Sequence, residues 1–254
     1  MIDRRAIAPK GAVLRPDAAG LPFPSLLSEE THMSTLLTAN AKIRKSGKKH
    51  NVALYNFGIP AWKSKATGLI TCPAAGSCGK DGGCYAQQGA YIFSNVAKVF
   101  EWRLAVTLST EFVILMQSEL DEAQRKAAKR GQRVVIRIHD SGDFYNVPYL
   151  RKWLAIILAN PNITFYAYTK QVRLFQNMAL PENFRIIFSE GGIFDREIDR
   201  NKFHSRVFRT HEELRAAGYA DASEDDLVAG MGSNPRIGLV YHGAPSREWT
   251  TTNN

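Results

Sequence analysis

Cysteine is scarce in this chain of 254 residues: there are three, and all fall between Cys72 and Cys84. An odd, tight cluster is a poor disulfide framework and a good metal site in a reducing compartment. Long apolar runs are also missing, since no stretch approaches the ~20 apolar residues needed to span a bilayer. The start, MIDRRAIAPKGAVL, lacks the apolar core of a secretory signal. The expectation is therefore a cytoplasmic protein with no membrane partner. Zinc-finger, helix-turn-helix and RNP signatures are absent, and no internal repeat of fixed period occurs.

What is present suits a folded chain. The hydrophobic fraction is 44% and the charged fraction 22%, with 13 Phe, 9 Tyr and 4 Trp. That is enough apolar surface to offset chain entropy in one domain of ordinary size. The net charge of +9 favours anionic partners. Much of the excess lies in Lys42, Arg44, Lys45, Lys48 and Lys49, and in Arg125, Lys126, Lys129, Arg130 and Arg133. Such runs read equally as solvated helix ends and as a nucleic-acid footprint, so nucleic acid is a secondary partner here.

Residues 1–33, rich in Ala, Pro and Gly, read as an irregular arm ahead of a single domain over 34–254. A natural extension and an added leader ending near His32-Met33 look alike in sequence. From Asn40 to Trp62 a Ser-Gly turn and the run NVALYNF predict a hairpin or edge element. The cysteine loop follows, with four glycines between Cys72 and Gly89 that free its backbone. Helical periodicity then runs from about Tyr91 to Gly131, broken near Ser109 and Thr110.

Beyond it, RVVIRIH (133–139), ITFYAYT (163–169), FRIIFSEGG (184–192), SRVF and PRIGLVYHG (235–243) read as strands. NVPYLRKWLAIILAN (146–160), KQVRLFQNMA (170–179) and the segment after SRVF read as helices. Alternation at this spacing predicts an α/β fold, either a partial (β/α) barrel or an open, mostly parallel sheet. In either, chemistry gathers at the carboxyl ends of the strands.

Soft thiolates suit iron in a sulfide cage, and three of them can hold three corners of a [4Fe–4S] cluster. The fourth iron then takes another residue, water or a small molecule, and can act as a Lewis acid. A Cys₃His zinc site is the alternative, although zinc cysteines are usually separated by two to four residues and here each gap holds five.

The order TCPAAGSC, CYA, IRIHDSGDF and FYAYTK resembles the phage gene product 88 family over about residues 36 to 245. That resemblance implies a phage-encoded protein in the host cytoplasm, distantly similar to radical S-adenosylmethionine enzymes, with a cluster on a barrel-like fold. Cys72, Cys78 and Cys84 map onto the family's cysteines, and S-adenosylmethionine becomes a candidate cofactor. The five-and-five spacing departs from the radical-enzyme pattern of three and two residues, and Gly83 stands where those enzymes carry an aromatic.

Around the cysteines, His139 and Asp140 end a strand and are candidate ligands of the fourth iron; a core role for His139 is equally consistent. Asp143 reads as a turn or as the cap of the helix near Val147. Lys170 could hold an anion or a cluster sulfide, and Glu190 before Gly191 and Gly192 marks a strand end where a ligand approaches backbone. His242 shares the ambiguity of His139. A small molecule or an electron donor is the partner this chemistry implies.

Overall fold

The computed structural model describes residues 35–80 and 84–241. The irregular arm and His242 lie outside them. One sheet organises the rest. Its strands are β1 (Val52–Phe57), β2 (Arg133–Ile138), β3 (Thr164–Thr169), β4 (Phe184–Ser189), β5 (His204–Phe208), β6 (Ala220–Asp221) and β7 (Arg236–Val240). They lie in the order β1-β2-β3-β4-β5-β7-β6, and every ladder is parallel. The sheet curls into a half barrel, as the alternation of strands and helices predicts.

Eight α-helices accompany it among the described residues: α1 (Ala41–Lys49), α2 (Ser77–Lys80), α3 (Ser94–Leu108), α4 (Phe112–Ala128), α5 (Val147–Ala159), α6 (Val172–Phe175), α7 (His211–Ala216) and α8 (Leu227–Met231). The period-two alternation of the strands divides the core in two. Outward-facing Phe57, Val134, Ile136, Ile138, Phe165 and Ala167 pack against Met116 and Leu120 of α4 and Trp153 and Ile157 of α5. Inward-facing Leu54, Val135, Tyr166, Ile187 and Ile237 meet Ile43 of α1 and Leu227 and Ala229 of α8.

The break at Ser109 to Glu111 separates α3 from α4, and Asn146 caps α5 by accepting from the Tyr149 amide at 2.8 Å. Three expectations need correction. Residues 41–49 form a helix rather than part of a hairpin, with Ser46 and Gly47 buried inside it, while β1 takes the expected place at the sheet edge. The Ser-Gly pair is there for packing. A Cβ on Gly47 would stand 2.8 Å from the Val52 carbonyl, so glycine lets α1 press on β1, and Ser46 Oγ accepts from the Asp226 amide at 2.9 Å. The helix expected over 170–179 shrinks to α6, and the short strand β6 was not anticipated.

Candidate metal centre

The cysteine loop begins where β1 ends and is clasped to the carboxyl ends of β2 and β4. Trp62 holds its first cysteine: the Trp62 amide donates to Cys72 Sγ at 3.3 Å, and its carbonyl accepts from the Cys72 amide at 3.4 Å. The Asp143 amide, just past β2, donates to the Thr71 carbonyl at 3.1 Å. Further along, Gly76 donates to the Gly191 carbonyl at 3.2 Å and Ile193 to the Ala74 carbonyl at 3.1 Å. The two backbones come so close there that a Cβ on Gly76 would lie 2.7 Å from the Gly191 oxygen. Gly191 itself adopts the left-handed region at φ 91°. The glycines after Glu190 thus serve as a backbone clasp for the loop.

All three cysteines are free thiols and partly buried. Burial pushes the Cys72 thiol up to about 12, with the negative charge of Asp143 adding to the rise. Burial also raises Cys84, which lies within electrostatic reach of Cys72, of Cys78 and of the Lys170 ammonium. Without a cation the Cys72 and Cys84 thiols stay protonated at neutral pH; a bound metal would supply the charge that makes thiolates. Among the described residues, no three His, Cys, Asp or Glu side chains are grouped to hold a metal ion.

The structure divides the other candidates. Lys170 joins the cysteines: its ammonium donates to Ser189 Oγ at 3.1 Å and to the Glu190 carbonyl at 2.5 Å, beside Cys84. Asp143 joins them too, in a role beyond the expected turn or cap. Its carboxylate accepts from Thr169 Oγ1 at 2.6 Å and from the Lys170 amide at 2.9 Å, fastening the end of β2 to that of β3. Burial lifts it to about 6 against these hydrogen bonds.

Asp140 reaches the loop through tyrosines. Its backbone carbonyl accepts from the Tyr85 hydroxyl, and its carboxylate from Asn56 at 2.5 Å and Tyr91 at 3.4 Å. Burial raises it also to about 6, despite the opposing charges of Arg137 and Arg103.

His139 and Glu190 face elsewhere. The His139 ring enters the aromatic core, with Nε2 2.8 Å from the Tyr149 hydroxyl and Phe57 and Phe144 around it. It takes φ 62°, a left-handed conformation costly for a residue with a Cβ. That turn sends it outward, and burial lowers it to about 3, so it is neutral. Glu190 is paired with Arg200 and, at 3.8 Å, with Arg206.

Sequence reasoning missed Tyr85, Arg137 and Asp226. Arg137, facing inward on β2, grips Asp226 through Nη1 at 3.0 and 3.1 Å, and its Nη2 donates to the Tyr85 hydroxyl at 3.2 Å. Tyr85 directly follows Cys84, so this chain anchors the end of the cysteine loop to the barrel interior. Burial works against the Asp226 carboxylate, but Arg137 and Lys42 outweigh it and hold the group at about 2. An arginine at an inward position of a buried strand was the available signal, because such a charge demands a partner.

With this geometry in view, the sequence profile of gene product 88 matches residues 33–248. The chain belongs to the gene product 88 family. The matched span contains every cysteine and both glycines of the clasp. The chain is similar to the gene 88 protein of Mycobacterium phage L5, with 31% identity over 126 residues, 45% of this chain and 47% of that relative. The aligned part thus spans about half the length of the phage L5 protein. No solved structure matches, so the half barrel of this gene product 88 protein is argued from its own strands.

Proposed function

We propose that the chain is an iron–sulfur protein in which Cys72, Cys78 and Cys84 each take one iron of a [4Fe–4S] cluster. The observation that carries this reading is that three free, partly buried thiols lie on one loop whose backbone is fixed to the strand ends. A cluster takes one thiolate per iron, so its ligands spread more widely than those of a single zinc ion, which must all sit about 2.3 Å from one point. Lys170 is the counter-charge, held in place by Ser189 and Glu190.

When bound, the cluster would supply an electron or an iron free of cysteine that polarises a small molecule. The chain's own contribution is to fix the loop through Trp62, Gly191 and Tyr85 and to shield it from water. The parallel half barrel with its loop over the strand ends supports S-adenosylmethionine as one ligand of that iron. The host-cell cytoplasm, where thiols stay reduced, suits such a site.

Magnetic resonance of the anaerobically reconstituted, reduced protein tests the reading. A paramagnetic iron–sulfur signal is expected, altered by S-adenosylmethionine if that is the ligand. A colourless protein carrying one zinc per chain would contradict it.

A further inference from the structure

On α1, Lys42 closes on Asp226 at 2.9 Å, Lys45 on Glu224 at 3.1 Å and Lys49 on Asp225 at 2.8 Å. Three of the five cations in the basic run that looks like a nucleic-acid footprint in sequence are thus paired with one acidic triplet. Beside the cysteine loop the situation is reversed. Lys63, Lys65 and Lys98 are exposed and, among the described residues, form no ion pair.

These lysines share one stretch of surface, because Glu101 of α3 ties the two segments together. Its carboxylate accepts from Ser64 Oγ at 2.5 Å and from the Lys65 amide at 2.7 Å. That carboxylate is thereby engaged by neutral donors. On the opposite side of the loop Asp195 is occupied in the same way, by the Gly191 and Gly192 amides at 2.8 Å each.

Large apolar groups are also exposed along the cysteine loop and just ahead of α3, and Ile70 pairs with Lys63 in an isolated bridge. Phe93 is 59% exposed, Ile92 61%, Tyr85 48% and Ile70 43%. Single exposed apolar residues are ordinary, but a group of them beside one loop marks a contact surface.

We propose that this rim binds single-stranded nucleic acid across the mouth of the cysteine loop. Unpaired lysines suit phosphates, and the exposed ring of Phe93 suits unpaired bases, which stack on aromatics regardless of sequence. A duplex hides those base faces.

Fluorescence anisotropy of a labelled single-stranded oligonucleotide with the full chain, over a series of salt concentrations, tests the inference. Binding should weaken steeply with salt. The combined variant Lys63→Gln, Lys65→Gln, Lys98→Gln should lower the log–log salt slope by about 2, at ~0.7 per phosphate contact. Phe93→Ala should weaken binding about tenfold, while Phe93→Trp retains it. Lys48→Gln on α1 should leave it unchanged.

Each variant alters an exposed side chain, and an unchanged thermal midpoint establishes that it folds. Metal-free protein should bind equally, which separates this inference from the cluster itself. No binding at low salt, equal binding by the triple variant, or preference for an acidic polypeptide over the oligonucleotide would overturn it.

Discussion

Along β2 the chain alternates between two environments. Val134, Ile136 and Ile138 turn outward into hydrocarbon, while Arg137 turns inward to Asp226. The split continues past the strand end, where the neighbours His139 and Asp140 part company. His139 joins the aromatic layer under α5 and stays neutral; Asp140 meets Asn56, Tyr91 and Tyr85. Around His139 the outer face admits polar atoms as uncharged members of a packed core. The inner face carries charge in a matched group, Arg137 and Lys42 around Asp226, because an unpaired ion there has nothing to replace its water. Function belongs on the second side.

The largest effect expected is on the outer side. Trp153 is fully buried against Phe57 and Phe112. Trp153→Ala should lower unfolding free energy by about 4 kcal/mol in urea titration. On the inner side, Asp226→Asn leaves Arg137 and Lys42 facing a neutral amide and should cost about 3 kcal/mol, whereas replacing Arg137 and Asp226 together by Met and Leu should recover most of it. If the double replacement is as damaging as the single one, the two faces do not differ as described.

A smaller, pH-dependent effect separates the two neighbours. The folded pKa of His139 is depressed from 6.5 to about 3, so its stabilising contribution is complete above 6.5 and is lost as pH falls toward 3. The stability difference between the native chain and His139→Gln should therefore change by about 2 kcal/mol between about pH 7 and pH 5. Asp140 and Asp143 have the opposite sign. Their folded pKa values are raised from 3.8 to about 6, so each disfavours the folded state increasingly as pH rises through that window. Comparison with the His139 variant isolates the imidazole from both. The smallest effect is at the cap: Asn146→Ala should cost about 1 kcal/mol in the same titration, with no change at the mouth.

These particulars also explain what the sequence could disclose. Strand positions were legible because Val, Ile and Phe recur where a parallel sheet is buried on both faces, and the α3 to α4 break because Ser109 and Thr110 interrupt a helical period. The cysteines were legible because their clustering is local. Helix α1 was not: its Ser46-Gly47 pair has the local signature of a turn, and only contact with Val52 and Asp226 makes it a buried helix face. Nor was the orientation of His139, which depends on one left-handed backbone angle. Arg137, Asp226 and Tyr85 form a chain across more than a hundred residues of sequence, and no local pattern links them. Glu190 was read as a ligand neighbour, yet its carboxylate serves Arg200 while the glycines after it hold the loop.

The most direct test of the central claim is iron and acid-labile sulfide analysis of anaerobically reconstituted protein, repeated for Cys72→Ala, Cys78→Ala and Cys84→Ala. The account predicts about four of each per native chain, with a marked loss in all three variants. Native protein without sulfide, or iron and sulfide that survive all three substitutions, would contradict it.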